Sequence, residues 1–365
     1  MDNFKTVLKK ILKVLGIALI AVIGIVIAYV LYVFFAYKRI DDHQILSVAS
    51  PMSSVRNENA IVGKEYTIVS YNIGFGAYTP DYSFFMDGGE SSWAKSRESV
   101  QNLVNGAGEL ALTFDPDFVL FQEIDTDSTR SYHVNQLDIL RRIFADYETT
   151  FGVNYDSPFL LYPFNEPHGT SRAGVGTFSR YKIDSAERRS LPITDGLSKF
   201  VDLDRCFTVN RIPVSNGREL VLINLHMSAY GSSSAVRDGQ TGLLSEVLKN
   251  EYEAGNYVIA GGDFNHDLKL TEDVNTYSWA HYYDRALLPG NFSFAMDLIS
   301  SEDKFALSNS VRDTGSAYDP ETSYTVTLDG FIISDNIEMT YYTNNDGGFL
   351  YSDHEPVIMK FRLKL

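Results

Sequence analysis

The sequence predicts one α/β domain of about 300 residues behind a single membrane-crossing helix. Three observations predict it. Val14–Tyr37 runs for 24 residues without a charged side chain. Beyond residue 64, short apolar runs alternate with longer amphipathic ones, with hairpin signals between them. Four of the short runs end in a polar residue: Asn72, Glu123, His226 and Asp263.

The charge-free run exceeds the roughly 20 residues that span a bilayer as a helix. It is too long for a signal-peptide core of about 7–15 residues, and no small-x-small cleavage site follows it. Lys5, Lys9, Lys10 and Lys13 precede it, and Lys38 and Arg39 follow it. The positive-inside rule therefore predicts a single-pass protein of the cell membrane, with residues 1–13 in the cytoplasm, 14–37 in the bilayer and the domain outside. Residues 38–64, with the polar stretch Pro51-Met52-Ser53-Ser54, read as a juxtamembrane linker.

In chain order, Tyr66–Asn72 reads as a strand and Trp93–Leu112 as an amphipathic helix. Asp115-Pro116 turns into the strand Asp117–Glu123, and Val134–Phe144 is a second helix. Gly174–Phe178, Leu203–Val214 and Glu219–His226 are strands, the last two joined by Ser215-Asn216-Gly217, a hairpin turn. Gly239–Tyr252 is a helix. Asn256–Ala260, Leu328–Ser334, Glu338–Tyr341 and Pro356–Leu363 complete the strands. No repeat or low-complexity tract interrupts residues 65–365, which form one domain.

The net charge is −16, and because the first 40 residues are basic, the remainder carries 25 Lys and Arg against 46 Asp and Glu, a net of −21. That field opposes loose binding to duplex nucleic acid, which needs basic surface. The one cysteine, Cys206, excludes an intrachain disulfide and sits in the alternating stretch Asp204–Val209 as a buried thiol.

Two motifs carry the chemistry. Gly261-Gly262-Asp263-Phe264-Asn265 follows the apolar run Tyr257–Ala260, and Ser352-Asp353-His354-Glu355-Pro356 precedes the run Val357–Met359. In open α/β sheets, sites gather at strand ends. Hydrolysis of a phosphate ester needs an activated water and positive charge for the developing oxyanions. A hard cation such as Mg²⁺ needs only one or two carboxylates. Glu123, delivered by a buried strand, is the best candidate ligand. Asp263 and Asn265, two apart in a Gly-rich turn, can align water and donate to a phosphate oxygen. Asp353 and His354 add a carboxylate near the metal and an imidazole, and Asp329 can fix that imidazole's tautomer.

The ordered motifs Ser70-Tyr71-Asn72-Ile73, Gln122-Glu123-Ile124, Asn224-Leu225-His226, Gly262-Asp263-Phe264-Asn265, Leu328-Asp329-Gly330-Phe331 and Ser352–Val357 resemble the endonuclease/exonuclease/phosphatase (DNase I-like) superfamily over residues 65–365. The resemblance implies a four-layer sandwich of two mixed β-sheets flanked by helices. It implies Mg²⁺, or Mn²⁺, held by Glu123 with Asn72 and Asp353 in support. Asp263 would orient or deprotonate water, and Asn265 and Asn72 would meet phosphate oxygens. His354 would contact the scissile phosphate with Asp329 behind it, and His226 would stand beside the phosphate as an acid. Arg172, in Gly169–Arg180, is a candidate phosphate contact. Some members carry a carboxylate two residues after the first Asn, where this chain has Gly74.

Other segments keep two readings. Residues 124–133, from Ile124 to His133, suit a substrate loop or a helix N-terminus capped by Asp127 or Ser128. Tyr78, Tyr82, Phe84, Phe85 and Trp93 suit base stacking or the packing of a loop. His168, His266 and His281 have no convincing partner in the sequence. The leading expectation is a phosphoesterase acting on nucleic acid, nucleotide or phospholipid headgroup. The alternative is a catalytically silent binding module on the same fold. No protein partner is expected.

Overall fold

The computed structural model describes residues 2–53, 58–194, 196, 199, 203–228, 233–270 and 280–365. A helix α1 (Asp2–Ala36) precedes all else. In chain order the next strands are β1 (Gln44–Ile45), β2 (Glu65–Asn72), β3 (Phe118–Asp125), β4 (Glu148–Leu160), β5 (Gly169–Ser179), β6 (Ser185–Ser190), β7 (Cys206–Pro213) and β8 (Glu219–His226). They are followed by β9 (Tyr257–Asp263), β10 (Phe292–Phe294), β11 (Val311–Arg312), β12 (Thr325–Val326), β13 (Asp329–Ser334), β14 (Ile337–Asn344) and β15 (Val357–Leu363). The domain helices are α2 (Arg97–Thr113), α3 (Gln136–Ile143), α4 (Ser234–Glu253) and the short α5 (Ser301–Ala306).

The strands form a seven-stranded sheet, ordered β1-β6-β7-β8-β9-β13-β10, and a six-stranded sheet, ordered β14-β15-β2-β3-β5-β4; β11 and β12 pair apart. Both large sheets are mixed: β2 runs parallel to β3 and β8 parallel to β9, with antiparallel neighbours on either side. Side-chain alternation builds the layers. On β2 and β3, Ile68, Phe118 and Leu120 join the core between the sheets, with β8 and β9 opposite. Val69, Tyr71, Val119 and Phe121 face outward and pack under α2 and α3. Leu244, Val247 and Leu248 of α4 cover the other sheet. The result is the expected four-layer sandwich.

Polar side chains tie the two sheets together. Asn224 of β8 donates to the carbonyls of Phe121 (3.2 Å) and Gly176 (2.9 Å) and accepts from Gln122 (2.8 Å). Asn210 of β7 meets Thr150 and Thr177 at 2.6 and 3.2 Å. These groups are buried, so each bond made here avoids a desolvated orphan.

Several boundaries differ from expectation. The helix read as Trp93–Leu112 starts at Arg97, because Ser96 caps it by accepting from Ser99 N at 3.0 Å. The helix read as Val134–Phe144 begins after Asn135, whose side chain accepts from Asp138 N at 3.1 Å. The edge strand β4 and the polar strand β6 were not expected: Gly152 and Pro158 break the pattern in one, and Ser-Ala-Glu-Arg-Arg-Ser masks the other. Pairing with β5 and β7 makes them strands regardless.

Residues 38–53 are joined to the domain along much of their length; 54–57 of the expected linker lie outside the described residues. Tyr37 donates to Asp204 (3.1 Å), Ile40 N to Asp204 (3.1 Å) and Arg39 to the Leu191 carbonyl (2.8 Å). Asp42 accepts from Ser190 N at 2.7 Å, Arg188 donates to the Asp41 carbonyl at 3.0 Å, and β1 pairs with β6. Cys206 is fully buried, and burial pushes its thiol up to about 11, so it is an inert packing group.

Candidate active site

Sheet register assembles the centre of the site. On β9, Asp263 has His226 of β8 as its parallel partner and Asp329 of β13 as its antiparallel partner. Side chains directly opposite one another share a face, so three residues far apart in sequence stand side by side. The Gly261-Gly262 pair permits this close approach. Gly262 has φ +143°, and a Cβ there would lie 2.0 Å from the Leu225 carbonyl oxygen.

Glu123 and Asn72 come from the other sheet. The β3–β5 register shifts between Phe121 and Ile124, and Glu123 sits in that bulge with φ +55°. The bulge re-aims a residue that simple alternation would send elsewhere. Asn72, at the end of β2, donates to Glu123 Oε1 (3.2 Å) and Asp263 Oδ2 (3.1 Å) and accepts from Gly74 N (3.0 Å). Asn265 (φ +51°) turns back on Asp263. Its amide N–H donates to Asp263 Oδ1 at 2.8 Å, and its side chain donates to the Met227 carbonyl (2.9 Å) and to Asp263 Oδ2 (3.3 Å).

The C-terminal motif closes the site. His354 Nδ1 lies 2.8 Å from Asp329 Oδ2, and its Nε2 points toward Asp263 Oδ2 at 3.9 Å. Ser310 steadies Asp329, donating to Oδ2 at 2.7 Å and accepting from Asp329 N at 3.2 Å. Ser352 donates to the Asn72 carbonyl at 2.8 Å, fastening the motif to β2. Asp353 Oδ1 lies where a side chain at Gly74 would go: a Cβ there would be 2.6 Å from it and 2.4 Å from the Tyr78 ring. A side chain at position 74 would collide with both, so Gly74 leaves Asp353 and Tyr78 their space.

The electrostatics follow from burial. Burial pushes Asp263 up to about 7; His354 opposes the rise, while Asp329 and Glu123 add to it. Asp353 is raised to about 6 for the same reason, with Glu123 adding to the rise. Burial alone would depress His354, but Asp329, Asp353 and Asp263 overcome it and hold the imidazole well above its ordinary value. His226 moves the other way. Burial, then the charges of Arg205 and His354, keep it well below its ordinary value and therefore neutral. Arg205 Nη1 lies 2.6 Å from His226 Nε2, which itself is 3.5 Å from Asp263 and 3.8 Å from Glu123.

Eight of the nine expected residues are therefore gathered in one place: Asn72, Glu123, His226, Asp263, Asn265, Asp329, Asp353 and His354. Arg172 stands at the rim. It lies on β5 just beyond the Asp125–Ala173 pair, its side chain is exposed, and its backbone holds residues 126–128. Sequence reasoning missed Ser310 and gave Arg205, Ser352 and Arg130 no part in the site. Arg205's position opposite the end of β8 was the available signal. Arg130 forms a bidentate buried pair with Asp125 (2.9 and 3.1 Å) and lies 3.9 Å over the Phe75 ring. Residues 124–133 are thereby organised around a structural ion pair, with Asp127 and His133 paired at the surface. The nearby aromatics pack edge to face: Tyr78 lies 5.0 Å from Tyr82 and 5.4 Å from Phe75. His266 is used by the Phe264 carbonyl at 2.6 Å.

Two mixed sheets with acids, amides and imidazoles converging where they meet define a hydrolase of the DNase I-like architecture. A family model described as "Endonuclease/Exonuclease/phosphatase family" matches residues 69–326, and the chain belongs to that family. Its membership indicates a hydrolase of the phosphoesterase type. No curated relative matches in sequence. Among solved structures, an endonuclease/exonuclease/phosphatase from Beutenbergia cavernae is 16% identical with a TM-score of 0.54, covering 82% of this chain and 72% of that one. The human Nocturnin catalytic domain with bound sulfate is 18% identical (TM-score 0.52; 87% and 98% covered). Danio rerio TDP2 complexed with single-strand DNA product is 16% identical (TM-score 0.52; 82% and 99% covered). These likenesses are of fold.

Proposed function

We propose that this protein is a membrane-anchored, divalent-metal-dependent phosphoesterase that cleaves a phosphate ester by attack of an activated water. The observation that carries the reading is the placement of Asp263 between His226 and His354, 3.5 and 3.9 Å away, with Glu123 and Asn72 brought from the opposite sheet.

The donor set fits a hard cation. Glu123, Asp263, Asp329 and Asp353 form an anionic excess whose mutual repulsion contributes to the raised values of Asp263 and Asp353. Oxygen donors of this kind suit Mg²⁺ or Mn²⁺. Glu123 would hold the ion, with Asn72 and Asp353 in support. Asp263, Asp329 and His354 also offer ligand atoms within 4.8 Å of one another. There, however, Asp329 Oδ2 and His354 Nδ1 already share a proton, which favours an orienting role. The bound ion would supply positive charge to the phosphoryl oxygens and ease deprotonation of water.

The chain's own groups divide the remaining work. Asp263, poised near neutrality and held by Asn265, accepts the proton of the attacking water. Protonated His354 donates from Nε2 to a phosphoryl oxygen, its other nitrogen fixed by Asp329. His226, lacking a second proton, serves as a neutral hydrogen-bonding wall set by Arg205 rather than as an imidazolium acid. Asn265 spends its amide on Met227 and Asp263, so it acts first through Asp263; a phosphate contact requires it to release one of these. Arg172 at the rim reaches for the substrate's outer phosphate.

The anchor is α1. Phe4–Ala36 has a mean hydropathy of 3.0 over its best window, none of which is buried against the domain. An apolar helix of this length is long enough to span a bilayer. The lysines before it favour a cytoplasmic N-terminus and an external domain at the cell membrane.

The test is a panel of esters (bis(p-nitrophenyl) phosphate, DNA, RNA, nucleotides, lipid phosphoesters) offered to the full-length protein in detergent with Mg²⁺. Turnover should stop with a chelator and in Asp263→Ala and His354→Ala. No turnover on any ester, or undiminished turnover in either variant, would overturn the reading. Protease treatment of intact cells should remove the domain; its protection would reverse the topology.

A further inference from the structure

Resting on the anchored-phosphoesterase reading, we propose that Phe159–Phe164, where β4 ends and the β4–β5 loop begins, is a second membrane contact, a wedge in the lipid interface that holds the site against lipid headgroups, so that the substrate is a phosphate ester borne on a lipid.

The loop is apolar and uncovered. Phe159, Leu161, Tyr162 and Phe164 are 39%, 39%, 65% and 77% exposed. No charged residue occurs from Ser157 to Asn165. Contiguous exposed apolar groups of this kind mark an interaction surface.

The anchor itself identifies the occupant. Tyr29 and Tyr32 of α1 hydrogen-bond the loop backbone: Leu161 N donates to Tyr29 Oη at 2.8 Å, Phe159 N to Tyr32 Oη at 3.1 Å, and Tyr29 Oη to the Phe159 carbonyl at 3.4 Å. Tyr29 precedes Ala36, the last residue of α1, by seven residues, about 10 Å along a helix at 1.5 Å per residue. The interfacial layer on each side of the hydrocarbon core is only roughly 6 Å thick. A loop bound at the level of Tyr29 therefore reaches at least into that layer. Irregular backbone is tolerated there only when its polar groups are satisfied, and the tyrosine hydroxyls satisfy three of them.

The same geometry sets which end of the domain faces lipid. Residues 37–42 are clamped to Leu191, Ser190 and Asp204. Those residues flank the Ser190–Cys206 and Cys206–His226 pairs, the active-site end of the sheet. The β4–β5 loop leaves its own sheet at that end as well, beyond the Asp125–Ala173 pair. From the loop, rings lead inward: Tyr162 to Phe85 at 5.9 Å, Phe85 to Phe84 at 5.0 Å, and Phe84 to Tyr78 at 6.2 Å. Tyr78 lies beside Gly74 and Asp353. Anchor, wedge and site thus share one end of the sandwich, and the site opens toward the bilayer.

The experiment uses the full-length chain in phosphatidylcholine vesicles containing sphingomyelin or a phosphoinositide. Cys206 is buried, so Phe164→Cys takes a nitroxide selectively. Its accessibility to oxygen over a water-soluble nickel chelate should exceed that of the same label at Leu365→Cys, on the far end of the sheets, by about tenfold for a side chain seated in the interface. Equal accessibility would overturn the wedge. Leu161→Ser with Phe164→Ser should cut hydrolysis of the lipid-borne ester at least fivefold while leaving bis(p-nitrophenyl) phosphate turnover unchanged; equal loss on both esters would overturn the lipid coupling. Turnover of the soluble ester with none of either lipid would overturn the lipid substrate alone. Silence on every ester would instead overturn the phosphoesterase reading, and the depth measurement would still decide the wedge.

Discussion

Replacing Asp263 by Asn should make the metal-free protein more stable at pH 8 while abolishing turnover. Asp263 is raised from 3.8 in the unfolded chain to about 7 in the folded one. A folded value above the unfolded one means that the folded state holds its proton more tightly. That contribution is present at pH below 3.8 and is lost as pH rises through 7. About three units at 1.36 kcal/mol each amount to about 4 kcal/mol lost by pH 8. The amide that Asp263→Asn introduces cannot ionise, so the variant escapes this loss. It forfeits two acceptor interactions, from Asn72 and from the Asn265 side chain (3.1 and 3.3 Å), at about 1 kcal/mol each. The net expectation is a variant about 2 kcal/mol more stable than wild type at pH 8 and about 2 kcal/mol less stable near pH 4. Urea unfolding of the full-length protein in detergent with chelator, at both pH values, measures this. The gain at pH 8 should shrink with Mg²⁺, which neutralises the wild-type carboxylates, and turnover should fall about 10³-fold. A variant destabilised equally at both pH values would refute the account of Asp263 as a buried, proton-retaining base.

Other outcomes follow from the same contacts. Glu123→Gln should raise the Mg²⁺ concentration needed for half-maximal turnover at least tenfold, read from a metal titration, since it removes the main charged ligand. Asp329→Asn removes the hydrogen-bonded charge that holds His354 protonated, so turnover should fall about 100-fold and its alkaline limb should move to lower pH in a pH–rate profile. Asn224→Ala removes its bonds to the Phe121 and Gly176 carbonyls and the acceptor of Gln122 between the sheets, and should cost about 2–4 kcal/mol in thermal or urea unfolding, with metal activation unchanged. Arg130→Ala leaves Asp125 buried without its bidentate partner and should cost about 3–5 kcal/mol.

Much of this protein is legible along the chain because its signals are local. A charge-free run of 24 residues declares a long apolar helix through its composition alone. Strands β2, β3, β8, β9 and β15 announce themselves as apolar runs, and the acids, amides and imidazoles that follow them mark the site. Strands β4 and β6 stay hidden because backbone pairing, not side-chain pattern, makes them strands.

Which groups touch is a matter of register and bulge, and neither is written locally. Asp263 meets His226 and Asp329 because three strands align at those residues. Glu123 faces the site because one extra residue in β3 turns it there. The charges of His226 and His354 diverge because one lies beside Arg205 and the other among three carboxylates. The chain by itself determined an α/β hydrolase behind one long apolar helix, with a named set of polar residues. The tertiary structure set the surroundings that shift their acidities, gave Asp353 the space at Gly74, and bound the segment after the apolar helix to the site end of the sheets, because burial and contact between distant segments set those properties.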